Sequence, residues 1–112
     1  MVRFTEVYGE EYTSGAINTT ASELFGNDQA SNRQKYGSAN SLILTNLAAE
    51  NFLIKLDGRR TMGILYANGG TFVIKPEDGI FYDYVELENI SGTNSSADEV
   101  KIRIARANAI GA

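Results

Sequence analysis

Between residues 41 and 105, turn-forming residues cut the chain into short apolar pieces, and that spacing limits what it can fold into. Phe52, Ile54 and Leu56 alternate with Leu53, Lys55 and Asp57, and Val100, Ile102 and Ile104 alternate with Lys101, Arg103 and Ala105. A period of two puts one set of side chains on one face of a strand. Between these segments lie Ser41–Asn46, Met62–Tyr66, Thr71–Lys75 and Phe81–Leu87, each a short β-prone run. Asp57-Gly58, Asn68-Gly69-Gly70 and Pro76-Glu77-Asp78-Gly79 supply the breaks, since Gly, Asn and Asp tolerate positive φ and Pro presets φ for a turn. Six strands with a turn every 8–14 residues predict an all-β fold, a single small β-sandwich or jelly-roll-like domain. Gly63 inside its run predicts a bulge or a close backbone contact. A helix over 41–57 is the competing reading, because Leu, Ala and Glu occur there, but Asn46 and Asn51 interrupt it.

Residues 1–40 look different. The run Val2–Tyr8 alternates weakly, with Glu6 breaking the parity. From Gly9 to Asn40 the only large apolar residues are Tyr12, Ile17, Leu24, Phe25 and Tyr36. Ser22–Phe25 reads as a short helical turn with Ser22 as its cap. Gly26–Asn40, rich in Asn, Ser, Gln and Gly, reads as a loop too polar to offset its ordering entropy. The division expected is therefore an N-terminal arm over 1–40 and a β-sandwich over 41–112. Tyr12, Ile17, Leu24, Phe25 and Tyr36 would act as isolated anchors on a neighbouring molecule. Fully extended, residues 9–40 would reach roughly 100 Å.

The predicted core comprises Leu42, Leu44, Phe52, Ile54, Leu56, Ile64, Phe72, Ile74, Val85, Leu87, Val100, Ile102 and Ile104. Composition narrows the chemistry. The 112 residues include no Cys, His or Trp, so disulfides, thiolate metal sites and imidazole-dependent nucleophilic sites are excluded. Carboxylates are the remaining acid–base candidates. Glu86 and Glu88 share a strand face near Asp83, a pattern open to glycosidase-like chemistry or a cation site, or to a plain solvated face. Gly69-Gly70 lacks the surroundings of a phosphate-binding loop. Neither a catalytic residue nor a cofactor is expected.

The net charge of −4 argues against nucleic acid as a partner. The apolar stretches are too short to span a membrane, and residues 1–20 do not read as a signal peptide. Sequons at Asn18, Asn89 and Asn94 are therefore not expected to be glycosylated. Arg59 and Arg60 follow Asp57-Gly58 and are expected at an exposed hairpin tip, where they suit either an acidic protein partner or simple surface charge. Tyr82 and Tyr84 share strand parity. As an outward stripe they would suit contact with protein or sugar; inward, they would be packing.

The run Ser41 to Gly58, then Gly63-Ile64-Leu65, then Asn68 to Ile74, with the last strand Val100–Ala105, resembles small β-sandwich virion proteins of tailed bacteriophages. The resemblance covers about 65 of the 112 residues. It implies a non-enzymatic virion protein, such as a capsid decoration (cement) protein or a head, neck, tail or fibre component. The partners it implies are the major capsid protein or another virion protein, together with further copies of the chain. A carbohydrate-binding β-sandwich module is the alternative.

Overall fold

The computed structural model describes residues 3–110. Val2, at the head of the expected first run, and residues 111–112, at the end of the expected sandwich, lie outside the described residues. Eight strands form two antiparallel four-stranded sheets: β1 Arg3–Thr13, β2 Ser22–Phe25, β3 Ser41–Asn46, β4 Phe52–Leu56, β5 Arg60–Leu65, β6 Gly70–Ile74, β7 Val85–Asn89 and β8 Val100–Ile110. One sheet runs β1-β8-β3-β6 and the other β2-β7-β4-β5. The pairs β1–β8, β2–β7, β3–β6 and β4–β5 nest about the middle of the chain. The nested hairpin is rolled so that β8 also meets β3 and β7 also meets β4. This is jelly-roll wiring, and it places both predicted alternating strands, β4 and β8, inside their sheets.

The core lies between the sheets. Leu42, Leu44, Phe52, Ile54, Leu56, Leu65, Ile74, Val85, Leu87, Val100, Ile102 and Ile104 are buried there. Two predicted members differ. Ile64 points outward, and Leu65 takes the inward place. The cause is a bulge in β5: Ile54 pairs with Gly63 but Lys55 pairs with Thr61, so Met62 is an extra residue that flips the parity beyond it. Gly63 has φ 143, a conformation that excludes most side chains, which matches its expected role. Phe72 faces inward opposite Leu44 but remains half-buried, because β6 ends the sheet.

The turns use the chemistry read from their residues. Asp57 and Gly58 both have positive φ (58 and 67), as do Asn68 and Gly69 (60 and 102). At Asp57-Gly58 the paired positive φ values suit the β4–β5 hairpin, whose strands twist right-handedly, whereas Asn68-Gly69 turns the chain from β5 in one sheet to β6 in the other.

Residues 3–40 are not set apart as an arm. β1 pairs along almost the whole of β8, and β2 pairs with β7, so this segment supplies a strand to each sheet. Ser22–Phe25 is a strand, not a helical turn. The helical structure comes later, as a 3-10 turn over Asn27–Gln29 and a helix, α1, over Ala30–Tyr36, within the stretch expected to be a loop. Few apolar residues suffice here because each strand needs only one inward face, and backbone hydrogen bonds to β8 and β7 hold the rest. Residues 41–57, where helix competed with strand, form β3 and β4.

Polar residues complete the seams. Asn46 is fully buried; its Nδ2 donates to the Glu50 carbonyl at 2.7 Å and those of Tyr66 and Leu65 at 3.2 and 3.3 Å, while its Oδ1 accepts from the Ala48 N–H at 2.9 Å. Asn89 donates to the carbonyls of Ile17 and Thr93, both at 2.9 Å, and accepts from the Ser91 N–H. Asn40 exchanges two hydrogen bonds with the Ala107 backbone. Each asparagine sits at or beside a strand end and closes a loop that has no ladder of its own. Ser95 Oγ accepts from the Ile17 N–H, which ties the first forty residues to the polar loop before β8.

Candidate functional site

Three surface features gather polar chemistry. The first is the end of the sandwich around the β4–β5 hairpin, a recess of about 410 Å³ lined by Asp57, Arg59, Arg60, Asp83 and Tyr84. Asp57 is its hub. Its Oδ1 accepts from the N–H groups of Asp83 (2.7 Å) and Tyr84 (3.1 Å), and its Oδ2 meets Arg60 Nη2 at 3.0 Å. Arg60 also donates to the Phe81 carbonyl. From α1, Arg33 Nη1 donates to the carbonyls of Gly26 (2.7 Å) and Asp83 (3.0 Å), and its Nε lies 3.7 Å from Asp83 Oδ1. Ser38 Oγ donates to Asp83 Oδ1 at 2.7 Å. The hairpin tip is thus fastened to the segment 81–84, which Arg33 and Ser38 hold in turn. Arg59 stands exposed at that tip, with no ion pair among the described residues.

The second feature is a shallow groove of about 520 Å³ on the outer face of the β1-β8-β3-β6 sheet. Strand register lines up Thr13, Lys101, Thr45 and Thr71 in one row, with Glu11, Arg103, Ile43 and Val73 in the next. Arg103 forms a forked pair with Glu6, at 2.6 and 2.9 Å, which crosses directly over Gly9. A Cβ at Gly9 would lie 2.9 Å from Arg103 Nη2 and 3.1 Å from the Glu6 carboxyl carbon, so a side chain there would displace the pair. The Arg103 hydrogen bond holds the Glu6 carboxyl below the usual glutamate range, against a smaller opposing effect of burial.

The third is the outer face of the other sheet. Glu86 and Glu88 do share that face, and Lys55 bridges them at 3.8 and 3.7 Å. They form a half-buried ion-paired row, and Asp83 belongs to the separate network around Asp57. Among the described residues, no group of three or more acidic side chains is placed to hold a metal ion. Nor is any helix there long and apolar enough to cross a membrane.

The proposed anchor residues do not come together. Ile17 and Phe25, expected to grip a neighbour, are buried in this chain's own core. Each lies where its strand or loop turns inward, which isolated spacing in the sequence could not show. Tyr12 packs its ring edge-on against Phe25, with centroids 6.2 Å apart, and its hydroxyl donates to Asp28 Oδ1 at 2.6 Å. Burial and the Asp28 bond both push that phenol's pKa up. Tyr36 is half-buried against Tyr8. Only Leu24, Arg59 and Arg60 remain exposed among the seven, and Arg60 is already engaged.

The tyrosine stripe is absent for a related reason. Tyr82 is buried in the core, and its hydroxyl donates to the Ser41 carbonyl. Its pKa is pushed up, chiefly by burial. Residues 81–84 are irregular, with one isolated bridge from Tyr82 to Ala39, so strand parity does not extend back from β7 to Tyr82. Arg33, Asp57 and Asp83 were missed as a cluster because they come from three distant segments. The turn signal at Asp57-Gly58 and the carboxylate of Asp83, read there with Glu86 and Glu88, were the traces of them in the sequence.

No protein-family model matches the chain, and a search of curated proteins finds no match to it.

Proposed function

We propose that this protein is a non-enzymatic structural component of a tailed-phage particle, a decoration (cement) protein that docks on the major capsid protein. The observation that carries the reading is the fastened hairpin tip. Asp57, Arg60, Arg33 and Asp83 hold one another in place, and Arg59 projects from that frame uncompensated. A cation presented on a rigid frame loses little freedom on meeting an acidic surface, which favours docking. The strand-and-turn resemblance over residues 41–105 supports the assignment to a virion. The sugar-binding alternative loses its aromatic platform, because Tyr82 lies in the core.

The test begins with particles purified from the phage or prophage that encodes the chain. Mass spectrometry should find the chain in a fixed ratio to the major capsid protein. Its absence from purified particles, with normal expression in the same lysate, refutes the assignment. Stripped particles should then rebind the wild-type protein and bind Arg59→Glu more weakly at low salt. Equal binding of the two would remove the tip from the contact.

A further inference from the structure

Two four-stranded sheets leave four edge strands, β1, β6, β2 and β5. Open edges expose backbone groups that invite another strand, and proteins blunt them with charge, bulges or brevity. Three edges here are blunted. β1 carries Arg3, Glu6, Glu10 and Glu11 and is broken by a register shift between Glu6 and Tyr8. β2 has only four residues, one of them Glu23. β5 begins at Arg60 and contains the Met62 bulge.

β6 is short as well, at five residues, but it carries neither charge nor bulge. Gly70-Thr71-Phe72-Val73-Ile74 is uncharged, and all five residues pair with β3 without a shift. Among the described residues, no segment other than β3 hydrogen-bonds the backbone of 71–74. Its side chains are also poorly covered. Phe72 faces the core but stays half-buried at the sheet end, and Val73 and its neighbour Ile43 are 49% and 44% exposed on the outer face.

We infer that β6 is the site at which a second copy of this chain adds, edge to edge and antiparallel, across a two-fold axis. The strand is self-complementary in that arrangement. Centred on Phe72, it sets the two phenyl rings opposite each other on the inner face, where each covers the half-buried other. Thr71 then lies opposite Val73 of the second copy on the outer face, and no like charges meet within the strand pair. Antiparallel cross-strand pairs of this kind are stabilising, aromatic pairs among the best. A sheet extended through the axis would leave neither β6 edge open. An unrelated partner strand has no such reason to match.

The size of the contact sets its strength. Five residues span about 17 Å along the strand. The narrowest dimension of the molecule is 23 Å. The contact face is therefore on the order of 400 Å² per copy, well under the ~800 Å² of a standard interface. The dimer should be weak and concentration-dependent. This inference does not rest on the virion assignment and survives its failure.

Sedimentation velocity from micromolar to millimolar concentration tests it. Wild type should move towards twice the 12.2 kDa monomer mass as concentration rises. Val73→Lys, at an exposed position, should raise the dissociation constant at least about tenfold. Glu10→Lys, on the blunted β1 edge, should leave it unchanged. A monomer at every concentration overturns the inference. So does a dimer indifferent to Val73→Lys, or one equally disrupted by Glu10→Lys. If Val73→Lys fails to fold, hydrogen exchange on wild type decides: β6 amides should gain protection as concentration rises, and constant protection overturns the pairing.

Discussion

Replacing Asn46 by alanine isolates the role of the buried amides. The side chain is fully buried and accepts from the Ala48 N–H while donating to three carbonyls, the shortest bond being to Glu50. Alanine removes every one of these bonds and leaves a small void. Ala48 is itself fully buried, so its N–H has no easy route to water. An unsatisfied buried polar group costs about 1–3 kcal/mol, and at least two are created, the Ala48 N–H and the Glu50 carbonyl. Allowing for partial relaxation of the loop, the loss should be about 2–4 kcal/mol. A domain of this length has a total stability of about 6–17 kcal/mol, so the loss is a large share. The midpoint of thermal unfolding should fall by about 8–16 °C, and the urea midpoint should fall with an unchanged slope. Asn46→Asp separates donor from acceptor. It can still accept from Ala48, but it turns a carboxylate towards carbonyl oxygens. It should be less stable than Asn46→Ala at neutral pH and should recover as the pH falls, because protonation restores a donor in the folded state. A midpoint for Asn46→Ala within about 2 °C of wild type would refute the view that these amides hold the loops.

Other outcomes follow from the same structure. Deleting residues 1–38 should unfold the chain by circular dichroism, because it removes β1, β2, Ile17 and Phe25 from the sandwich; a folded remainder would reinstate a separable arm. Ile54→Ala or Ile102→Ala should cost about 2–5 kcal/mol in urea unfolding, whereas Ile64→Ala, on the solvent side of the bulge, should cost under about 1 kcal/mol. Glu6 has a folded pKa lowered by Arg103, so its contribution is present above the ordinary glutamate value of 4.5 and is lost as pH falls through the folded value. Glu6→Gln should therefore flatten part of the acid limb of the curve of thermal midpoint against pH, and an identical limb would remove that pair from the account. Gly9→Val should mimic Glu6→Gln by displacing the same pair, which a parallel pH series would show.

Much of the fold was legible in the chain. The period-two segments became β4 and β8, because alternation decides which face of a strand enters the core. Asp57-Gly58 became the β4–β5 hairpin turn and Asn68-Gly69 the turn that carries the chain from one sheet to the other, because positive φ is a local property of those residues. Gly63 marked its bulge for the same reason. The register beyond that bulge was not legible, since one extra residue exchanges Ile64 for Leu65 and the sequence around it reads equally well in either parity.

The first forty residues were decided by tertiary structure. Their apolar residues are too sparse to specify a core, yet β8 and β7 offer backbone partners that make a sparse strand sufficient. The buried asparagines follow the same logic: in the sequence they look like loop residues, and only the packed sheets bring carbonyls from Glu50, Leu65 and Tyr66 around one amide. The cluster at Asp57 and the bare edge of β6 likewise depend on which distant strands become neighbours. Local residue chemistry determined strands and turns in this protein; long-range pairing determined which faces were buried, which charges met and which edge was left open.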